Sequence, residues 1–258
     1  MINLQNIGGR QIACWVTNGS FSPDRKTLVF IHGSGGDHTN WIQQYTPLKN
    51  AFNIAAIDLP GHGRSEGPGE QEVTAYGEWV KKVLDGLGII KPVMIGHSLG
   101  AAICLSYVIR YRDSAAAVVP VGGGVKMPVN PVIMEGLKQD PAAVIGLAAK
   151  FSVAKANRER FGGLIAEGLS QVNPEIIYGD FSACNRLDIA EAIAEIRIPA
   201  LALCGAEDKM TPPAWSEFIR DHIPGARLAL IERAGHFVML ENPEAFNAAL
   251  TDFVNSLP

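Results

Sequence analysis

The 258-residue sequence predicts an α/β architecture, a mostly parallel central sheet flanked by helices on both faces. Three observations point to it. Short runs that are apolar throughout, at 27–31, 53–57 and 116–121, alternate with longer segments of helical spacing. A strand with no polar side is covered on both faces, as happens when parallel strands are joined by right-handed helical crossovers. The hydrophobic fraction is 47% against 19% charged, which supplies ample surface for a core. The length also lies within the reach of one large α/β domain.

The elements follow in order. Segments 2–7 and 11–16 flank Gly8-Gly9, a pair that tolerates the positive φ angles of a tight turn, so the chain opens with an antiparallel hairpin. Buried strands are expected at 27–31, 53–57, 92–95, 116–121, 200–204 and 227–231, with helices at 72–87, 99–110, 213–222 and 243–257. Residues 125–193 break the alternation, since they combine helical spacing with Pro and Gly interruptions and no buried strand. They are expected to form a helical cap inserted into a core made of 1–124 and 194–258. Val132, Leu137, Val144, Leu147 and Phe151 recur within it at helical intervals and are expected to pack onto the main domain, with a ligand pocket as the alternative. The segment, leaving from the carboxyl edge, is expected to act as a lid over the triad.

Charge and cysteine usage exclude several functions. The formal net charge is −4 and no Lys/Arg run occurs, so nucleic acid is not an expected partner. Cys14, Cys104, Cys184 and Cys204 form no C-x-x-C pair or zinc-finger spacing and read as separate thiols of a reducing compartment. Residues 1–11 lack a secretory signal, and no apolar stretch reaches about 18 residues. The expectation is a cytoplasmic protein without a membrane partner.

The chemistry centres on Gly96-His97-Ser98-Leu99-Gly100, a G-x-S-x-G pentapeptide between a predicted strand and a predicted helix. A sharp strand-to-helix turn would present the Ser98 hydroxyl at the carboxyl edge of the sheet, where open α/β folds bind ligands. A hydroxyl is a poor nucleophile at neutral pH, so a base must accept its proton and an acid must orient that base. His236 follows the last strand. Asp208 follows the strand before it, and the order Ser, Asp, His is that of hydrolases of this type. Glu207 adjoins Asp208 and competes for the orienting role, with Asp208 preferred. The turn after the 116–121 strand, Gly122-Gly123-Gly124, offers no carboxylate. Acyl transfer also needs backbone donors for an oxyanion. Leu99 at a helix start supplies one, and the turn His32-Gly33-Ser34-Gly35-Gly36 supplies the other, from Ser34 in preference to Gly35.

Taken together, His32-Gly33, Asp58-Leu59-Pro60-Gly61-His62-Gly63-Arg64-Ser65, the Ser98 pentapeptide, Gly205-Ala206-Glu207-Asp208 and Gly235-His236 resemble the α/β-hydrolase fold family. The chain looks like a capped member of the serine esterase and C-C-bond hydrolase type, and the likeness extends over nearly the whole chain and is weakest in the cap. It implies a triad of Ser98, Asp208 and His236, no cofactor and no metal. An aspartate at the turn, used by haloalkane dehalogenases and most epoxide hydrolases of this fold, is replaced here by Ser98. Asp37 stands where ring-cleavage-product hydrolases usually have a further glycine.

The expected activity is hydrolysis of small or medium hydrophobic carboxylic esters. C-C, lactone or thioester hydrolysis by the same triad is the alternative, as is a non-enzymatic receptor of the same fold. The remaining histidines have plainer expectations. His32 and His62 bond neighbouring backbone, His97 is held beside the nucleophile, His222 ends a helix, and His38 is expected at the surface, with substrate contact above the oxyanion turn as the alternative. Lys150, Lys155, Arg158 and Arg160 are expected to form a solvated helix face, with receipt of an anionic substrate or a coenzyme A phosphate as the alternative.

Overall fold

The computed structural model describes residues 1–17 and 21–258. Its eight strands, β1 (Ile2–Ile7), β2 (Arg10–Val16), β3 (Thr27–Ile31), β4 (Asn53–Ile57), β5 (Val93–His97), β6 (Ala117–Val121), β7 (Leu201–Gly205) and β8 (Arg227–Ile231), form one sheet in the order β1-β2-β4-β3-β5-β6-β7-β8. Gly8 and Gly9 both take positive φ, 61° and 86°, giving the turn whose twist matches a hairpin. The β1–β2 and β2–β4 pairs are antiparallel, and every later pair is parallel. The expected strands therefore form, with ends displaced by a residue or two.

Side chains alternate between the two faces of the sheet, as the strand period of two requires. Val29 and Ile31 point into a core covered by α2 (Val73–Gly86), α3 (Leu99–Arg110) and α8 (Pro213–His222). Leu28 and Phe30 point into a second core under α1 (Ile42–Leu48), α9 (Val238–Glu241) and α10 (Pro243–Ser256). In that second core Trp41 packs between Phe30 and Phe246, at centroid distances of 5.0 and 6.1 Å. Each such side chain contributes about 1.5–3 kcal/mol by leaving water.

The insertion follows β6 and contains α4 (Pro131–Gln139), α5 (Pro141–Phe151), α6 (Arg158–Ser170) and α7 (Pro174–Arg186). Three of these helices begin alike. Asn130, Asp140 and Asn173 each cap the helix through their side chain, and a proline follows at the first helical position, where its missing N–H costs nothing. The segment leaves and rejoins the core at one point, where Ile189 N–H donates to Val125 O at 3.0 Å beside a Lys126–Asp188 bridge. Its last helix belongs to both regions, because Ala183 and Cys184 of α7 pack into the core over α3.

Leu137 is buried with Ile145 and Ile177 of the insertion, whereas the other residues of this face follow the pocket alternative or lie open. Val132 is 76% exposed, and Leu147 and Phe151 are 48% and 41% exposed rather than packed onto the main domain. Leu137, Val144, Leu147 and Phe151 border cavities. Helical spacing identifies a shared face but does not say whether that face meets protein or open space.

Candidate active site

The strand order places the candidate residues together. β3 and β5 are neighbours, with Ile31 opposite Gly96, so the turns after them lie side by side at the carboxyl edge. β7 and β8 are likewise paired, with Gly205 opposite Ile231, which brings the loops carrying Asp208 and His236 together.

Ser98 has φ 53° and ψ −114°, a conformation costing a non-glycine residue about 1–3 kcal/mol. Tight packing enforces it. A Cβ on Gly96 would stand 2.0 Å from Gly100 O, and one on Gly100 would stand 2.3 Å from Ile31 O. Both glycines of the pentapeptide are thus required by backbone approach. Ser98 N–H donates to Val121 O at 2.9 Å, which ties the turn to β6.

Asp208 and His236 are buried and joined, Nδ1 to Oδ2, at 2.8 Å. Met210 N–H and Thr211 N–H donate to the other carboxylate oxygen at 2.8 and 2.9 Å, and the Thr211 hydroxyl donates to Oδ2 at 2.7 Å. Burial works to raise the Asp208 carboxyl, but the charge and hydrogen bond of His236 and the Thr211 donors outweigh it and hold the group below its usual range. An ionised Asp208 accepts the proton on Nδ1, which leaves Nε2 of a neutral His236 as the free lone pair. Glu207, by contrast, is exposed. Gly122 packs beneath the pair, where a Cβ would lie 3.2 Å from Asp208 Oδ2 and 3.3 Å from His236 Nδ1. Thr211 had no sequence signal beyond its place three residues after the acid.

Ser98 and His236 line the same cavities without a hydrogen bond between them, a gap that acid–base pairs often close only with substrate bound. An inner cavity of about 50 Å³ is walled by Leu137, Ile145, Leu169 and Ile177 of the insertion. An outer one of about 330 Å³ is walled by Met127, Leu147, Phe151 and Trp215. Ser34, Ser98, Val144, Ala148, Phe181 and His236 border both. Lys209 is the one charged residue among the walls of the outer cavity, and the inner one has none apart from its histidines.

Ser34 borders the same cavities as Ser98, and Leu99 follows Ser98 at the start of α3. Neither backbone N–H is engaged by another described residue. Gly35 N–H, the competing donor, is committed to Asp180 Oδ2 at 2.9 Å.

The insertion also grips the His236 loop. His236 N–H and Phe237 N–H donate to Ser152 O at 2.8 and 3.2 Å. The Glu241 carboxylate accepts from Gly235 N, Ala154 N and Asn157 Nδ2, each at 2.8 Å. A Cβ on Gly235 would stand 2.6 Å from Ala154 N, so glycine lets the two segments meet.

The other histidines are structural. His32 donates from Nδ1 to Gly33 O at 2.8 Å and accepts from Leu59 N–H at 3.0 Å through Nε2, which makes it neutral. His97 donates from Nε2 to His236 O at 2.9 Å, and burial and the nearby His236 hold its pKa well below the usual value. His222 bonds Phe218 O at its helix end.

His38 departs from its expected surface position. It is buried, with its ring and backbone N–H both bonded to Asp58 Oδ1. His62 bonds Pro60 O as anticipated, but its other nitrogen reaches Asp180, 118 residues away. Asp37, His38 and Asp58 are a trio close enough for a metal. Both Asp58 oxygens and Asp37 Oδ1 accept hydrogen bonds, Arg64 N–H donating to Asp58 Oδ2 and Thr39 N–H to Asp37 Oδ1, so the trio ties the turn together. No helix among the described residues is long and apolar enough to cross a membrane.

Residues 28–249 match the Alpha/beta hydrolase family. The chain is 31% identical to a solved thermophilic esterase and superposes on it with a TM-score of 0.86, covering 99% of this chain and 97% of that one. It is 25% identical over 246 residues to the pimeloyl-[acyl-carrier protein] methyl ester esterase of Neisseria meningitidis serogroup C, covering 90% of this chain and 94% of that protein. It is also 26% identical over 256 residues to the 2-hydroxy-6-oxononadienedioate/2-hydroxy-6-oxononatrienedioate hydrolase of Paraburkholderia phymatum, covering 89% and 87%.

Proposed function

The chain belongs to the alpha/beta hydrolase family, and on that premise we propose that it hydrolyses carboxylic esters of small or medium hydrophobic substrates through an acyl-enzyme on Ser98. The observation that carries the reading is one cavity edge. There, a serine on a strained turn and a histidine oriented by a buried carboxylate face apolar walls, and the backbone N–H groups of Ser34 and Leu99 have no other partner among the described residues.

Ser98 Oγ attacks the ester carbonyl as His236 Nε2 takes its proton. The carbonyl oxygen, now negative, accepts from Ser34 N–H and Leu99 N–H, each such donor contributing about 3 kcal/mol. Collapse of the adduct passes the proton from His236 to the departing alcohol. Water then gives its proton to His236 and attacks the acyl-enzyme, which releases the acid and restores Ser98. Asp208 keeps Nδ1 protonated and offsets the positive charge on the ring during both steps.

The wall chemistry favours esters over the dianionic substrate class in the name of the Paraburkholderia relative, because only Lys209 could meet a carboxylate. Turnover of p-nitrophenyl acetate and butyrate, compared with Ser98→Ala, tests the reading. Ser98-dependent turnover is expected. Stoichiometric release of nitrophenol with no further turnover would indicate a receptor with a vestigial site.

A further inference from the structure

Asp180, on helix α7 of the insertion, is fully buried and reaches three groups of the main core. Its Oδ2 accepts from Gly35 N–H and from His62 Nε2, both at 2.9 Å, and its Oδ1 accepts from the Tyr76 hydroxyl. We propose that Asp180 is a positioning residue of the oxyanion site, holding the Gly33–Gly36 turn so that Ser34 N–H faces the carbonyl oxygen of the substrate. The proposal rests on the acyl-transfer reading of Ser98 and assigns to the insertion a part in it besides walling the cavity.

The geometry works through peptide planarity. Gly35 N–H and Ser34 C=O share one rigid plane, so anchoring the N–H to Asp180 fixes where that plane lies. Gly36 N–H donates to Gly33 O at 3.0 Å and closes the turn from the other end. Ser34 is held between two fixed points. Gly35 sits at φ +64°, and a Cβ there would stand 2.7 Å from Leu169 Cδ2, so the turn adopts a shape that only glycine accepts comfortably. Were the Ser34–Gly35 plane to rotate, the Ser34 carbonyl could turn toward the cavity and repel the developing negative charge.

A buried carboxylate needs a counter-charge, and His62 supplies it. Its Nδ1 faces Pro60 O at 3.0 Å and its Nε2 faces Asp180, two acceptors that require a proton on each nitrogen. Burial opposes the charged ring, but the Asp180 charge and hydrogen bond outweigh it and raise the His62 pKa. Burial and the neighbouring His62 together push His32 down to about 4, so the cation sits on one ring of the adjacent pair. The hydrogen bond to Gly35 is thus anchored in an ion pair.

The experiment compares Asp180→Asn and Asp180→Ala with the wild type. Phosphonylation of Ser98 by a fluorophosphonate and turnover of p-nitrophenyl butyrate are both measured per active site, titrated by complete labelling. Phosphonylation also places negative charge on an oxygen in the oxyanion site, so it reads the turn even for an enzyme whose natural bond is not an ester. Because one oxyanion donor is commonly worth 10²–10³ in rate, displacing it in Asp180→Ala is expected to slow both reactions at least about tenfold. KM should stay within about threefold. Asp180→Asn keeps an acceptor for Gly35 N–H but loses the ion pair with His62 that anchors it, so both reactions should still be slowed about threefold to fivefold.

Both rates within about twofold of wild type per active site, in folded Asp180→Asn and Asp180→Ala, would show that Asp180 is only a structural staple and overturn the proposal. If Asp180→Ala does not fold, Asp180→Asn decides alone: parallel slowing of both reactions with KM unchanged supports positioning, and unchanged rates overturn it. Loss of Ser98-dependent ester turnover in the wild type itself would instead sink the esterase reading and leave the phosphonylation comparison valid.

Discussion

Around Ser98 the constraints come from the same turn or from adjacent strand ends: Gly96 against Gly100, Gly100 against Ile31, Ser98 N–H on Val121. Around the contacts of the insertion they come from far along the chain. Asp180 meets His62 across 118 residues, and Glu241 meets Ala154 across 87. The first region is shaped by steric exclusion, which has no pH dependence and little tolerance for added atoms. The second is shaped by buried polar pairs, whose strength depends on charge. A nucleophile can therefore be built locally and then finished by a segment that folds over it.

Substitution of Ser98 should separate the two most sharply. Ser98→Ala is expected to lower kcat on the order of 10⁶-fold while leaving the thermal transition near wild type, because the loss is chemical and both regions keep their packing. A circular dichroism melt beside steady-state kinetics checks it.

Asp208→Asn follows, with a loss of about 10⁴-fold in kcat if the amide favours the wrong histidine tautomer. Glu207→Gln should stay within about twofold, since its exposed side chain makes no contact with His236. Comparable losses in the two variants, measured on one ester, would transfer the orienting role away from Asp208.

The polar region predicts a stability effect that varies with pH. The His62 pKa is raised in the folded protein, so the stability it contributes is complete below the unfolded value and is lost as pH rises through the folded one. His62→Gln leaves a buried carboxylate without its cation and is expected to cost about 3–5 kcal/mol at acidic to neutral pH. The gap from wild type should narrow in more alkaline solution. Urea unfolding across pH reads it, and a gap constant with pH would mean that folding does not shift the His62 pKa.

The smallest effect belongs to the outer cavity. Phe151→Ala removes a wall residue that is 41% exposed and bonded to nothing in the triad. A changed apolar contact is worth about 1–3 kcal/mol of discrimination, so relative kcat/KM from acetate to octanoate esters should shift by about tenfold. Parallel profiles for wild type and variant would show that the substrate does not reach this wall.

Legibility in the sequence divides along the same line. The segments 27–31, 53–57 and 227–231 match β3, β4 and β8 residue for residue, because a short, mainly apolar run between turn residues is a local signal, although β8 at the sheet edge is only partly buried. Helices α1 and α9 went unnoticed. Both are short, and α1 carries Pro47 inside it. The insertion helices had a readable signal in Asn130-Pro131, Asp140-Pro141 and Asn173-Pro174, three caps followed by proline, which spacing alone did not reveal.

By itself, then, the sequence determined the sheet, the strained serine turn and the order of serine, acid and histidine. Each follows from neighbours in the chain: apolar runs, glycines that permit close backbone approach, and polar residues placed just past strand ends. Only the tertiary structure decided that Asp180 and His62 pair, that Gly35 N–H is spent on that pair and Ser34 N–H is left free, and that the insertion faces a cavity. Those outcomes depend on which distant groups meet in a volume without water, where each buried donor and charge needs a partner and the chain's linear order does not say which one it will find.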